Sequence, residues 1–309
     1  MLSNLFIFSV SLFLVLKGAT FATRYATLLA KSYRLSRYTV GFIIVAFISI
    51  LPETFISISS ALGGMPSFGL GTLFGSNIAD LTLIFAIIIL YTGKKIKIES
   101  SILKNIKIYP LLLLLPIALG FDGLFSRIDG LVLILTGCIF FYFSFRSNTP
   151  ELTDEAEKGN QFKYFLFLLG SLALLLIGSH FIVISASAIA SAIGVNAALI
   201  GILIVGLGTT IPEFLFSVNA VRKHNESLGV GDILGTVLAD ATIVVGILAI
   251  ISPFSFPIQI IHISGIFMLI ASALLSYFMR TEKAISRKEA GFLFAFWILF
   301  VCMELLFNA

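Results

Sequence analysis

The chain has 309 residues, of which 59% are hydrophobic and 12% charged, with a net charge of +4, three histidines and two cysteines. A soluble domain carries about 25% charged residues, so this composition excludes a soluble globular protein. Apolar runs of about 20 residues, each long enough to cross roughly 30 Å of hydrocarbon, recur along the whole length and predict an all-α polytopic membrane protein.

Ten transmembrane helices are expected, over residues 4–22, 39–62, 69–92, 106–121, 127–145, 162–187, 197–221, 228–252, 257–279 and 289–307. The first lacks the basic start and small-residue cleavage site of a signal peptide and reads as a true span; its Lys17 is expected to snorkel. The second carries "LPETF" and the third "GSNIAD". The fourth is the weakest, because Pro110 and Pro116 bracket a short run of leucines. Cys138 in the fifth and Cys302 in the tenth read as buried thiols rather than a disulfide or metal pair. The one acidic tract, "ELTDEAEKGN" at Glu151–Asn160, reads as part of a cytoplasmic linker over residues 149–161. It joins residues 1–148 to residues 162–309, five helices each. In the second half, His180 is expected to be packed and Glu304 to sit at the outer interface. "GVGD" at Gly229–Asp232 matches a string of intramembrane aspartyl proteases, but the Tyr-Asp that such an enzyme needs on a neighbouring span is absent. Asp232 is therefore read as a cap or lining residue at the cytoplasmic entrance of the eighth helix.

Orientation follows from the basic residues, which gather in cytoplasmic loops. The loops after the first, third, fifth, seventh and ninth helices, with Lys107 and Lys163 counted from the edges of the helices that follow, hold 4, 5, 3, 2 and 4 Lys or Arg, which is 18 of the 20. Both termini are thus expected outside a cell membrane that is the protein's main partner. No nucleic-acid partner, enzymatic activity or cofactor is expected.

Residues 41–84 align with residues 201–244 at an offset of 160 without a gap, and 13 of the 44 positions are identical. The shared residues are mostly Gly, Pro and acidic, whereas two generic apolar helices would share Leu and Ile. An odd number of spans, five, separates the copies, so they enter the membrane from opposite sides. That is an inverted repeat, a plan of secondary transporters whose substrate site lies near the midplane. Pro52 and Pro212 each remove a backbone donor and free carbonyls near Ala46–Ser49 and Gly206–Thr209. Irregular backbone at membrane depth is tolerated where it is buried in protein or lines a cavity. Glu53 and Glu213 follow these breaks, and Asp80 and Asp240 lie on the next helix of each copy. Ser76 and Thr236 precede the aspartates by one turn and share their face. Four carboxylates with hydroxyls and carbonyls suit a hard cation such as calcium or sodium, and no His or Cys joins them. Intramembrane carboxylates are functional by default.

At these residues the sequence resembles the calcium/cation antiporter superfamily, most closely its sodium/calcium exchanger branch. "GLGTTIPEF" and "GSNIAD" are similar to that family's G-T-S-x-P-E and G-S-N-x-x-[ND] signatures, and the likeness covers nearly the whole chain. The resemblance implies that Glu53 and Glu213 are the central calcium ligands and that Asp80 and Asp240 hold the midplane polar positions. It also implies that Ser49, Ser76, Asn77, Thr209, Thr210 and Thr236, with backbone oxygens of Ala46 and Gly206, line the ion sites. It further implies that sodium moving one way drives calcium the other way by alternating access. Three features depart from the family: Ile48-Ser49-Ile50 stand where it has Gly-Thr-Ser, Thr236-Val237 where it has Ser-Asn, and Asp occupies both midplane positions. The alternatives are exchange coupled to potassium or protons, and a passive cation channel.

Overall fold

The computed structural model describes residues 1–32, 46–93, 95–97, 106, 108–146, 160–222, 226–281 and 283–308. The start of the second expected helix and nearly all of the acidic linker lie outside them. Apart from two short strand pairs, the described chain is helical. Helix α1 spans Leu2–Ser32. Helix α2 is broken at Ile50 into Ala46–Ser49 and Leu51–Leu62. It is followed by α3 (Pro66–Thr92), α4 (Tyr109–Leu119), α5 (Arg127–Arg146) and α6 (Gln161–Ile193). Helix α7 covers Ala197–Arg222, and α8 runs from Glu226 to Ile251. Helices α9 (Ile261–Thr281) and α10 (Arg287–Asn308) close the chain.

Eight of these helices are long and apolar enough to cross a membrane, so the molecule is a polytopic membrane protein; α2 and α4 are the shorter ones among the described residues. Helix α4 begins only at Tyr109, because Pro110 fits the first turn, where the missing N–H costs nothing. Helices α1 and α6 run on past their expected ends at residues 22 and 187. Apolarity marks where lipid ends, whereas α6 stops only at Gly194, whose left-handed backbone (φ +78°) no longer fits a helix.

Burial separates the helices into two groups. In the most apolar stretch of α3 and of α8, 83% of residues are buried, against 33% in α1 and in α6. The large apolar core gathers α3, α4, α5, α8, α9 and α10, with parts of α2 and α7. A second, smaller cluster joins α1 to α6, with Ile48, Ile56, Phe68, Ile200 and Val205 from α2, α3 and α7 at its edge. Without a hydrophobic drive between helices in lipid, close approach falls to small residues. Helix α3 meets α7 so tightly that a Cβ on Gly75 would lie 2.1 Å from the Ile202 carbonyl oxygen. Helix α5 meets α8 at Gly130 and Gly246 in the same way.

Two antiparallel pairs tie the ends of the bundle. Ile96–Lys97 (β1), after α3, pairs with Ala284–Ile285 (β4) between α9 and α10; Leu124–Phe125 (β2) pairs with Phe254–Ser255 (β3) after α8. Each pair joins two odd-numbered or two even-numbered connections.

Several isolated polar residues differ from expectation. Cys138 and Cys302 are exposed, because the helix turns those positions outward, and a thiol is weakly polar enough to face lipid. His180 is also exposed, with its ring edge against Phe181 at 5.5 Å; the buried face of α6 there is taken by Gly178, Ser179 and Ile182. Glu304 is fully buried rather than interfacial and accepts a 2.5 Å hydrogen bond from Ser264, within a π turn of α9. Lys17 is exposed and holds its ammonium 5.5 Å from the Phe13 ring centre, which fits snorkelling.

Candidate functional site

The two prolines break their helices alike. Pro52 and Pro212 cannot donate, so the carbonyls of Ile48 and Gly208 lose their helical partners. The break residues adopt nearly one conformation, φ −77°, ψ −4° at Ile50 and φ −77°, ψ −6° at Thr210. Glu53 and Glu213 open the helical segments beyond these breaks, and both are buried. On the neighbouring helices, Asp80 and Asp240 each begin a π turn, Asp80–Ile84 and Asp240–Val244, again 160 residues apart. Such turns are rare, and they widen the helix at functional sites. Helix α7 has a further π turn, Gly201–Val205, just before Gly206.

Of the eight carboxylate oxygens on these four residues, six have no hydrogen-bond partner: Glu53 Oε2, Asp80 Oδ1, and both oxygens of Glu213 and Asp240. Buried charge without partners is costly, and a cation among these oxygens would lower that cost. Glu53 also takes a hydrogen bond from the side chain of Thr209, which crosses from the other broken helix. The four residues are near enough for their charges to act on one another. They are nonetheless spread out: among the described residues no three carboxylate, imidazole or thiol groups stand close enough to grip one ion together. Hydroxyls and carbonyls must therefore complete any shell.

Those groups are at hand. The Ser76 and Thr210 hydroxyls donate to the carbonyls of Leu73 (3.0 Å) and Leu207 (2.9 Å), which uses up their protons and leaves oxygen lone pairs, while Thr209 shares its one proton between the Gly206 carbonyl (3.1 Å) and Glu53. Thr236 Oγ1 has no partner. Asn77 is buried, with Nδ2 on Met268 Sδ at 3.6 Å and Oδ1 unpartnered. Ala46 starts the short first segment of α2, and Gly206 starts the corresponding segment of α7. Of the hydroxyls expected here, Ser49 alone points to another carboxylate, donating to Asp232 Oδ1 at 3.0 Å.

Of the two readings of Asp232, cap or entrance lining, the cap fails, because Asp232 lies six residues inside a helix that begins at Glu226; it is buried, and its Oδ2 is unpartnered. The charge of Asp232 also reaches Asp80 and Glu213. Ser57, buried with an unpartnered Oγ, was legible only as one of the repeated identities. Tyr109 on α4 donates to the Leu234 carbonyl at 2.8 Å beside these aspartates, and no motif pointed to it.

Comparison with known proteins places the chain in a family. The family model described as "Sodium/calcium exchanger protein" matches residues 3–146 and 163–306. The chain is 31% identical over 243 residues to the putative antiporter CaxA of Alkalimonas amylolytica, covering 74% of each chain. It is 22% identical over 365 residues to the sodium/calcium exchanger MaX1 of Methanosarcina acetivorans, covering 96% of this chain and 97% of that one. A solved structure of the sodium-calcium exchanger NCX_Mj, soaked with 100 mM Na+ and 10 mM Sr2+, superimposes with a TM-score of 0.69 at 22% identity over 97% of both chains. The likeness to NCX_Mj is one of fold. On the family model and the CaxA relationship together, the chain belongs to the sodium/calcium exchanger protein family, a family of membrane transporters and not of enzymes.

Proposed function

We propose that the protein is a secondary active antiporter that exchanges sodium for calcium by alternating access, with Glu53, Asp80, Glu213 and Asp240 as the transported ions' midplane site. The observation that carries this reading is the set of six buried carboxylate oxygens without a donor, supplied by four different helices. Ser49, Ser76, Asn77, Thr209, Thr210 and Thr236, with the backbone of Ala46 and Gly206, complete an all-oxygen environment. Calcium takes 6–8 such ligands. The spread of the carboxylates suits several monovalent ions in separate oxygen cages, which draw together around one divalent ion. The names of CaxA and MaX1, an antiporter and an exchanger, support counter-transport.

The architecture proposed with it has ten spans in two inverted five-helix repeats, residues 1–148 and 162–309, joined by a cytoplasmic linker at 149–161, with both termini outside. Matched breaks and π turns at an offset of 160 support the repeat. A second match lies outside the aligned window. A Cβ on Gly18 would meet Leu175 and the Ser171 carbonyl, while one on Gly178 would meet Val15 and the Ser11 carbonyl. Each of these residues has its counterpart 160 positions away, as a two-fold crossing requires. The odd-with-odd and even-with-even strand pairings support alternating loop sides. Helices α1 and α6, packed in their own apolar cluster, are the moving gate over a core of α2, α3, α7 and α8.

Calcium uptake into proteoliposomes preloaded in turn with sodium, potassium or protons tests the reading. Saturable uptake that requires internal sodium is expected. Uptake driven by potassium or protons reassigns the coupling ion, and uptake needing no counter-ion makes the protein a channel.

A further inference from the structure

Helix α8 carries a line of oxygen groups at Asp232, Thr236 and Asp240, spaced one turn apart on one face. The corresponding line on α3 is Thr72, Ser76 and Asp80. The two lines differ at their outer members. Thr72 returns its hydroxyl to the Phe68 carbonyl of its own helix at 3.0 Å. Asp232 instead reaches across to Ser49 on α2, at the helix break, and keeps a buried, unpartnered Oδ2. Thr236 Oγ1, one turn nearer Asp240, is also buried and unpartnered. Asp232 stands two turns, about 12 Å along the axis, from Asp240, toward the α8 end that follows Arg222 and Lys223. The charge of Asp232 reaches Asp80 and Glu213, so it belongs to the same electrostatic unit without sharing their position.

We infer that Asp232 adds a second cation subsite on the basic-loop side of the four-carboxylate site, sharing Thr236 and Ser49 with that site's edge, which takes one monovalent alkali cation in each cycle. The inference rests on the antiport reading above. One carboxylate with two hydroxyls carries a single negative charge, enough for a monovalent ion; a divalent ion here would keep an uncompensated charge in a buried setting. The subsite adds one positive charge to what the fourfold set holds, so this chain couples one more alkali cation than the same chain lacking the Asp232 charge. The inverted repeat supplies no twin, because Thr72 is neutral and bonded within its helix.

Calcium binding to purified protein, displaced by sodium chloride or potassium chloride, tests this in wild type and Asp232→Asn. Asparagine keeps the volume and the acceptor for Ser49 and removes only the charge. The Hill slope of displacement by the effective alkali ion should fall by about one, and the half-displacing concentration should rise about threefold or more. Superimposable curves overturn the subsite and leave the antiport reading standing. A wild type whose calcium resists both salts overturns the subsite too, and one that binds no calcium removes the antiport reading with it. If Asp232→Asn binds no calcium, Ser49→Ala decides, since it leaves all five carboxylates in place. A rise in the half-displacing concentration supports the subsite, and an unmoved curve overturns it.

Discussion

On one side of the molecule, α2 breaks at Ile50, Glu53 follows the break, and Asp80 opens a π turn in α3. On the other, the same events fall at Thr210, Glu213 and Asp240. The backbone frame is thus nearly the same twice, while the side chains on it are not. Asn77 corresponds to Val237, and Thr72 corresponds to Asp232. A frame that must open to both sides of a membrane gains from symmetry, because the two open states are then close in energy. The ions gain nothing from it. In the proposed antiporter their number and charge would be set by residues that break the match, so the shared positions should govern whether transport occurs, and the unshared ones should govern which ions couple.

The largest effects should come from the shared glutamates. Glu53→Gln and Glu213→Gln keep shape and lose charge, and a charged ligand is worth up to about 3 kcal/mol, or about 100-fold. Calcium flux should fall by about that factor in each, with unchanged elution and helical content of the purified protein. Near-normal flux in one of them would end the equivalence of the two halves.

A second test uses the symmetric crossing of α1 and α6. With Cys138 and Cys302 first replaced, Val15→Cys with Gly178→Cys links the two helices, since a Cβ on Gly178 lies 2.8 Å from Val15 Cγ2. Transport should continue, because both helices move together. Leu12→Cys with Gly208→Cys ties α1 to the broken helix α7 instead, where the Cβ lies 2.7 Å from Leu12 Cδ1. Flux should drop to the uncross-linked fraction and return on reduction. Two harmless cross-links would mean that α1 and α6 are not the gate.

How much of this could be read without coordinates depended on repetition. Proline and glutamate in an apolar run are improbable once and informative twice, so the breaks and all four central carboxylates were visible. The π turns at Asp80 and Asp240 were not, since they need no particular residue. Gly18 and Gly178 stood in the sequence at the right offset, but a contact between first and sixth helices leaves no local pattern. The link from Asp232 to Ser49 was not legible because the counterpart of Asp232 is Thr72; matching finds what the halves share and passes over what one half does alone. Glu304 lies near a helix end, where a carboxylate normally meets the interface, and only the π turn of α9 beside it explains its burial. His180 was a matter of helical phase, settled by small neighbours that pack more closely.

The third test concerns the frame. Gly75→Ala would set a Cβ 2.1 Å from the Ile202 carbonyl, and the helices can only separate. Overpacking of this kind costs about 1–3 kcal/mol, read as a lower thermal midpoint in detergent. Gly170→Ala on the lipid-facing side of α6 meets nothing within 4 Å and should leave the midpoint unchanged or slightly raised. Equal midpoints for the two variants would deny the α3–α7 contact its structural role.

The smallest effect should come from the mismatched pair Asn77 and Val237, and it separates ligand from filler. Asn77→Val makes the first half like the second. It removes a buried Oδ1 with no protein partner and an amide held only by the Met268 sulfur. If that oxygen serves an ion, its loss removes one neutral ligand, about 1 kcal/mol, and cation affinity should fall about fivefold. The thermal midpoint in the absence of ions should hold or rise, since no partner is left stranded. Val237→Asn runs the other way, placing an amide where Val237 is fully buried. An unmatched polar group there costs about 1–3 kcal/mol, so stability should fall with no gain in affinity. Calcium and sodium titrations with melting curves on both variants distinguish the cases. Unchanged affinity in Asn77→Val with a raised midpoint would make Asn77 a packing residue, and the difference between the halves would then rest on Asp232 and the residues around the first break.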